Sequence, residues 1–369
     1  MLDKTGQLLI IGIRDKVLTQ DESEFIIKNN IGGVILFSRN VESPQQVHAL
    51  CKSIQALRHK MRDKLPLFIG VDNEGGRVMR LKSPFTMWPP AGKLGQIDST
   101  SVAFRFAQAM GAELQAVGIN LNFAPSVDVL TNPKNTVIGD RALSTNPEQV
   151  AKLASALVRG YIKSGIIPCA KHFPGHGNTL IDSHEDLPVE NIDLQRLKDV
   201  ELVPFKKVFR ARLDMVMTSH IKFSKIDPDF PVTFSEKFIR QLLRTEMRYR
   251  GLVITDDLDM KALASYYPVE EIPVRAFQAG CDIMLYCNVF DHPQIALDSL
   301  NKAAKDHKIS AAQIDESYNR VVALKKDALT KPDPEDFAKV SALIGSSEHQ
   351  RLADAISSGI VPDDLSSPA

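Results

Sequence analysis

The sequence predicts an α/β fold, a single-domain (β/α)8 TIM barrel followed by a short C-terminal helical extension. Short apolar runs rich in β-branched residues alternate with stretches of helical periodicity, which is typical of βαβ units and a parallel sheet. Eight such units fit a closed barrel better than an open doubly wound sheet, which usually has fewer strands. No glycine-rich dinucleotide fingerprint follows the first apolar run, which also disfavours the open sheet.

The predicted elements follow one another regularly along the chain. Strands are predicted at Leu8–Ile13, Gly32–Phe37, Leu67–Val71, Leu121–Pro125, Ile166–Phe173, Met215–Ile221, Leu252–Thr255 and Cys281–Tyr286. Helices between them are predicted at Ser99–Val117, Pro147–Lys163, Leu194–Arg212 and Glu236–Met247. Ile309–Asp327 is expected to be the helix that closes the barrel, so we assign residues 1–329 to the barrel domain. Residues 330–369 are assigned to a linker, an amphipathic stretch over Phe337–Ile356 and a flexible tail.

The composition is that of a soluble globular protein with no charge bias. Of the 369 residues, 44% are hydrophobic and 24% are charged. Lys+Arg and Asp+Glu each number 45, so the formal net charge is zero. Without a global basic field, nucleic acid and anionic membrane surfaces are not expected partners.

Cysteine usage and the N-terminal segment predict a cytoplasmic location. The four cysteines form no CxxC pair, and Cys169 and Cys281 lie in apolar runs where a buried small hydrophobe is expected. The first residues lack the basic segment of a secretory signal, and no run approaches the ~20 apolar residues of a membrane span. We expect a cytoplasmic monomer with no membrane partner.

Polar side chains stand where several predicted strands stop. These positions are Asp72–Arg77 after the third strand, Lys171–His172 at the fifth, Thr218–His220 at the sixth and Asp256–Asp257 at the seventh. In TIM barrels the C-terminal ends of the strands meet at one face, and active sites lie there. Four polar strand ends therefore predict a site at this face.

The segment AKHFPGHGNTLIDSHEDLP, from Ala170 to Pro188, is the densest polar signal in the chain. A solvated loop with incidental histidines is one alternative. A metal site is a second alternative, with His172, His176, Asp182 and His184 as candidate ligands. Metal ligands usually come from rigid elements rather than from a long loop with glycines, so no metal is expected.

Asp182 and His184 are predicted to perform acid/base chemistry. Residues two apart in an extended loop point the same way, so Asp182 can accept a hydrogen bond from the imidazole and orient it. Histidine titrates near neutral pH and can protonate a leaving oxygen, then deprotonate a water. Gly175 and Gly177, on either side of His176, predict a hinge for the loop.

Strand-end residues are candidates for a nucleophile and for ligand contacts. Asp256 follows an apolar strand and is predicted to point rigidly into the barrel mouth, as a nucleophile requires. Its alternative is an N-cap for the run from Leu258, and Asp257 is expected to be structural because strand alternation turns it away. Lys171 offers three donors to hydroxyl groups or forms an interior ion pair. His172 is either a ligand contact or a satisfied histidine at the barrel mouth.

Several motifs together resemble glycoside hydrolase family 3 and, more narrowly, its NagZ-type β-N-acetylglucosaminidases. They are VDNEGGRV, KHFPGHG followed by DSH, and ITDDLDM, and the resemblance covers residues 6 to 327 or so. The KHFPGHG and DSH combination sets these enzymes apart from the family's β-glucosidases, whose carboxylic acid/base comes from a second domain. The resemblance implies a cofactor-free, retaining hydrolase of small carbohydrates. Its implied substrate is terminal β-1,4-linked N-acetylglucosamine of muropeptides (GlcNAc-anhydroMurNAc) in cell-wall recycling.

The resemblance also implies roles for individual residues. Asp256 falls on the nucleophile, His184 on the acid/base and Asp182 on its partner. The sugar-binding residues of the family map onto Asp72, Arg80, Arg141, Lys171 and His172. An acceptor-only carboxylate suits paired hydroxyls and a guanidinium suits an acetyl or hydroxyl oxygen, although Arg80 could equally form a scaffold ion pair.

One departure and three rival functions stand beside this interpretation. Longer family members continue into an α/β sandwich domain, and residues 345–357 resemble the segment that introduces it, so the single-domain type is expected to be the closer match. A glycoside phosphorylase is one rival, because a histidine beside Lys171 would admit phosphate more readily than a carboxylate would. A β-glucosidase and a sugar-binding barrel without catalysis are the others, although the intact Asp256, Asp182 and His184 disfavour lost catalysis.

Overall fold

The computed structural model describes residues 4–183 and 185–362 and confirms the predicted barrel. Eight parallel strands close in chain order, with β1 pairing with both β2 and β8. The strands are β1 (Leu9–Gly12), β2 (Gly33–Leu36), β3 (Phe68–Val71), β4 (Leu121–Asn122), β5 (Ile167–Phe173), β6 (Met215–Thr218), β7 (Leu252–Asp257) and β8 (Ile283–Tyr286). Each overlaps the apolar run that predicts it, because both faces of a barrel strand are buried.

Helices surround the barrel. They are α1 (Gln20–Asn29), α2 (Pro44–Ala56), α3 (Ala91–Ile97), α4 (Thr100–Ala116), α5 (Pro147–Lys163), α6 (Leu194–Asp199), α7 (Leu202–Arg210), a π-helix (Lys237–Glu246), α8 (Lys261–Ala264), α9 (Ile272–Ala279), α10 (His292–Lys305), α11 (Ala311–Ala328), α12 (Phe337–Val340) and α13 (Ser347–Ser357). Side-chain caps start several of them, such as the capping box that Thr19 forms with Glu22 and the Asn146 cap of α5.

One predicted helix and the predicted amphipathic stretch are each divided in the structure. The predicted helix Leu194–Arg212 consists of α6 and α7, because Pro204 has no N–H and is tolerated only in the first turn of a helix. The predicted stretch Phe337–Ile356 contains α12, a 3-10 turn and α13. Gly345 precedes α13 with a φ of 60°, a left-handed conformation that glycine adopts at low cost.

The C-terminal segment packs against the barrel domain. His349 of α13 places its Nδ1 2.8 Å from Glu113 Oε1 of α4. Arg58 makes two hydrogen bonds, of 2.7 and 2.6 Å, to the carboxylate of Asp333. All four cysteines are buried and free, as expected for Cys169 and Cys281. Within the described ranges, none of the helices combines the length and the apolar character needed to cross a bilayer.

Two small sheets shape the C-terminal face of the barrel. After β3, Asn73–Gly75 pairs antiparallel with Val78–Met79 and forms a hairpin. Val189–Glu190 pairs with Lys222–Phe223, so the end of the loop after β5 is attached to the segment after β6. Both loops are thereby held over the strand ends where the polar residues lie.

Candidate active site

One open cavity at the C-terminal face contains every predicted site residue that the structure describes. Its volume is about 430 Å³, within the range of small-ligand sites. The predicted residues that line it are Asp72, Arg80, Arg141, Lys171, His172, Asp182 and Asp256. His184, the remaining predicted residue, lies outside the described residues.

A cluster of paired charges forms one side of the cavity. The Lys171 ammonium lies 2.7 Å from Asp72 Oδ1 and 2.7 Å from Glu74 Oε1. Arg141 binds the same Glu74 carboxylate with two hydrogen bonds, of 2.9 and 2.7 Å. Arg80 lies 3.5 Å from Asp72 Oδ2. The ion pairs considered as alternatives for Lys171 and Arg80 are therefore formed.

The members of this charge cluster stabilise one another's ionised forms. Burial by itself would raise the pKa of Glu74, but the charges of Arg141 and Lys171 outweigh it and hold this pKa well below its usual range. Burial would lower the pKa of Lys171, and the charges of Asp72 and Glu74 raise it instead. An ammonium has three donors, of which these two carboxylates accept two, so the third can serve a ligand hydroxyl.

Substituting Glu74 tests how far the cluster is structural. Glu74→Gln is expected to lower the free energy of unfolding by about 3 kcal/mol at neutral pH, because two buried cations lose their shared counter-charge. A carboxylate with a lowered folded pKa stabilises the fold above its unfolded pKa of about 4.3 and loses that effect below it. Urea denaturation should therefore show the difference shrinking as the pH falls below about 4.

The matched control is Asp140→Asn, which removes an exposed ion pair of 3.4 Å with Arg77. Exposed pairs contribute little to stability, so this variant should unfold like the parent protein. Equal, small effects for both variants would contradict the structural role of Glu74.

A second buried network orients His172. Its Nδ1 lies 2.7 Å from Asp128 Oδ2 and its Nε2 lies 3.4 Å from an Arg141 guanidinium nitrogen. Because a guanidinium only donates, Nε2 accepts and the Nδ1–H donates to Asp128. Asp128 is fully buried and also accepts the N–H of His172 at 3.3 Å and of His176 at 2.6 Å. Burial would raise the pKa of Asp128, but these interactions lower it below its usual value.

The loop after β5 packs tightly against the loop after β4. A Cβ at Gly177 would lie 1.8 Å from the carbonyl oxygen of Val129, so only glycine fits there. Gly175 has a φ of 139° and lies against the side chain of Glu201. Both glycines thus have a packing role, and the hinge predicted between them has no support from these contacts.

Asp182 lines the cavity at the far end of this loop. Its carbonyl accepts the N–H of Glu185 at 2.9 Å and that of Asp186 at 3.0 Å. The chain therefore turns after Asp182 and does not have the extended conformation expected from the sequence. The partnership of Asp182 with His184 stays a prediction.

Asp256 is half-buried at the end of β7, and its Oδ1 accepts the N–H of Asp257 at 2.8 Å. The next helix, α8, has Met260 as its N-cap, so the alternative role of Asp256 as a helix cap is wrong. The pairing register of β7 shifts between Ile254 and Asp257. Strict alternation ends there, and both neighbouring carboxylates line the cavity.

Asp257 does not turn away from the cavity as strand alternation predicted, but it binds two backbone N–H groups of the neighbouring loops. Its Oδ1 accepts the N–H groups of Asp259 and Cys287, each at 3.1 Å. Burial and the charge of Asp259 raise the pKa of Asp257 to about 7. A fraction of the molecules therefore carries an uncharged Asp257 at neutral pH, which reduces the negative charge beside Asp256.

Sequence reasoning misses two residues of this site, Glu74 and Asp128. Glu74 stands in the polar motif after the third strand, but nothing in the motif says that it binds Arg141. Asp128 lies in APSVDV after the fourth strand, without a dense polar pattern around it. Only their positions in the chain could have indicated these two carboxylates, because each lies within six residues of the end of a barrel strand.

The candidate metal ligands His172, His176 and Asp182 lie in the described part of the chain. Within residues 4–183 and 185–362, no group of three or more His, Cys, Asp or Glu side chains is placed to hold a metal ion. The alternative also included His184, which these ranges omit. That the site works without a metal stays a prediction.

Comparison with known proteins identifies relatives along almost the whole chain. Residues 1–324 match the family described as "Glycosyl hydrolase family 3 N terminal domain". The chain is 35% identical over 361 residues to Beta-hexosaminidase A of Pseudoalteromonas piscicida, covering 91% of this chain and 59% of that protein. It is 39% identical over 292 residues to Beta-hexosaminidase of Alkalilimnicola ehrlichii, covering 78% of this chain and 81% of the relative.

Solved structures agree with this similarity. A glycoside hydrolase family 3 β-N-acetylglucosaminidase from Paenibacillus superposes with a TM-score of 0.90 at 36% identity, covering 97% of this chain and 68% of that one. Native NagZ from Neisseria gonorrhoeae has a TM-score of 0.79 at 32% identity, covering 96% and 98%. The longer Paenibacillus chain has the higher TM-score of the two. Of the two curated relatives, however, the one that this chain covers to the larger extent has the higher sequence identity, so which type is the closer match stays a prediction.

Proposed function

This chain belongs to glycoside hydrolase family 3, and we propose from this premise that it is a retaining β-N-acetylhexosaminidase acting on terminal N-acetylglucosamine. The observation that carries the proposal is the cavity that Asp256 and Asp182 share with the charge cluster around Lys171. The β-hexosaminidase names of the curated relatives agree with the proposed activity.

The proposed reaction has two steps. A carboxylate oxygen of Asp256 bonds to the anomeric carbon while the glycosidic bond breaks, and His184 gives its proton to the leaving oxygen. In the second step His184 takes a proton from water, whose oxygen bonds to the anomeric carbon as the ester to Asp256 breaks. An uncharged base adds no second negative charge beside that ester.

The charge cluster supplies groups suited to holding a sugar. Asp72 is an acceptor for hydroxyl groups, held in place by Lys171 and Arg80. Lys171 has one donor beyond its two ion pairs, and His172 is oriented by Asp128. We assign the sugar ring to this side of the cavity and the leaving group to the side of Asp182.

The motif resemblance supports a finer proposal about the substrate and setting. We propose that the substrate is a muropeptide carrying β-1,4-linked N-acetylglucosamine on anhydroMurNAc, processed in the cytoplasm during cell-wall recycling. We further propose residues 1–329 as the catalytic domain and residues 330–369 as an extension, of which the described part packs on the barrel.

A substrate pair tests the proposed activity. The chromogenic β-glycoside of N-acetylglucosamine should be cleaved at least about 100-fold faster, in kcat/KM, than the matching glucoside. A site that binds a polar group leaves its partners unpaired when the analogue lacks that group. Equal rates on the two substrates would contradict the proposed N-acetylhexosaminidase activity and favour a β-glucosidase.

The same assay separates hydrolysis from its rivals. Product analysis with and without added phosphate should give free N-acetylglucosamine in both cases, whereas a sugar 1-phosphate would establish a phosphorylase. Extensive chelation should leave the rate unchanged. The absence of any turnover would favour the sugar-binding barrel.

A further inference from the structure

The proposed reaction makes no use of His176, although this residue is among the most firmly held in the loop after β5. Its side chain is buried, with Nδ1 2.8 Å from Thr179 Oγ1 and Nε2 3.2 Å from Ser183 Oγ. Its main chain is bound as well, because the N–H donates to Asp128 and the carbonyl accepts from Asn135 at 2.7 Å. Both ring nitrogens and both backbone groups of His176 therefore have partners.

The uncharged form of the His176 ring can form hydrogen bonds with two hydroxyl groups at once. Burial and the nearby His172 together lower the pKa of His176 to about 4. At neutral pH the ring is uncharged, with one N–H donor and one acceptor nitrogen. The ring can thus donate to one hydroxyl and accept from the other.

Ser183 connects this histidine to the loop that follows the nucleophile. It is 3% exposed and lies between Asp182 and His184 in the sequence. Its carbonyl accepts the N–H of Ala262 in α8, the helix that follows Asp256, at 3.3 Å. Ser183 therefore contacts His176 in the loop after β5 through its side chain, and it contacts the loop after β7 through its backbone carbonyl.

We propose that His176 and Ser183 are positioning residues that hold the acid/base pair in place relative to the nucleophile. This inference rests on the proposed function. His176 is held by Asp128, and Ser183 is bonded to His176 through its hydroxyl and to Ala262 of α8 through its carbonyl. A misplacement of about 1 Å can cost roughly 100-fold in rate, so a single hydroxyl at this point has a measurable effect.

Ser183→Ala tests the proposal with a small change at a buried position. We expect kcat/KM to fall about 10-fold for an N-acetylglucosaminide with a sugar leaving group, which needs protonation. With an activated phenol as the leaving group, kcat/KM should change less than about 2-fold, because that group needs little protonation. Ser183→Thr, which keeps the hydroxyl, should restore most of the loss.

Ser155→Ala is the matched control. Ser155 is also buried and donates one hydrogen bond, of 2.8 Å to Ala151, but it lies in α5 away from the cavity. Ser155→Ala should leave kcat/KM unchanged for both substrates. His176→Asn provides a second test should Ser183→Ala not fold, and it should show the same dependence on the leaving group.

His184→Ala separates failure of this inference from failure of the proposed function. If His184→Ala discriminates between the two leaving groups and Ser183→Ala slows both equally or neither, the positioning role is wrong. If His184→Ala itself shows no discrimination, the acid/base assignment is wrong, and the positioning role is overturned with it.

Discussion

Asp256→Asn is expected to lower kcat on the order of 10⁴-fold while the protein unfolds at nearly the same temperature as its parent. An amide cannot form the glycosyl ester, and the half-buried side chain of Asp256 accepts one backbone N–H that an amide oxygen can also accept. Steady-state rates with an activated glycoside, together with thermal unfolding, measure both effects.

Asp257→Asn is the control for this prediction, because it makes the same chemical change at the adjacent residue. Its oxygen should still accept the N–H groups of Asp259 and Cys287, so turnover should stay within about 10-fold of the parent. A slow fluorinated substrate should trap a covalent adduct, and peptide mapping should locate it on Asp256. An adduct on another carboxylate would show that the nucleophile is misassigned.

His184→Ala should have the second largest effect, and only with a demanding leaving group. For a sugar leaving group we expect kcat/KM to fall between about 10² and 10⁴-fold, the usual contribution of a general acid. For an activated phenol the decrease should be less than about 10-fold, because kcat/KM reports the first bond-breaking step. Both substrates are to be measured on the same enzyme preparations.

Asp182→Ala should follow the same pattern with a smaller decrease, since the imidazole remains but loses its orienting partner. Equal slowing of both substrate types in the two variants would exclude His184 as the general acid. Retention of full activity by Asp182→Ala alone would restrict the acid/base role to His184.

The barrel could be predicted because its signal is local. Each strand is a short apolar run, and stretches of helical periodicity lie between many of these runs. The candidate site followed from topology, since the C-terminal ends of parallel strands meet at one face. That rule selected Asp72, Lys171, His172 and Asp256, and the structure brings all four to one cavity.

Backbone details near the site could not be obtained from the same patterns. Asp182 was expected to lie in an extended loop, but its carbonyl accepts two N–H groups in a turn. Gly175 and Gly177 were expected to form a hinge, but glycine is required at residue 177 because the Val129 carbonyl lies so close. A glycine in a sequence does not reveal whether it provides mobility or close packing.

The sequence by itself determined the fold class, the family and the residue types available for chemistry, because periodicity and motif spacing are properties of neighbouring positions. Only the tertiary structure decided which charges pair. Glu74 meets Arg141 across 67 residues of sequence, and Asp128 meets His172 across 44. Such pairs form where the closed barrel excludes water from the strand ends, and a buried charge is stable there only beside its partner.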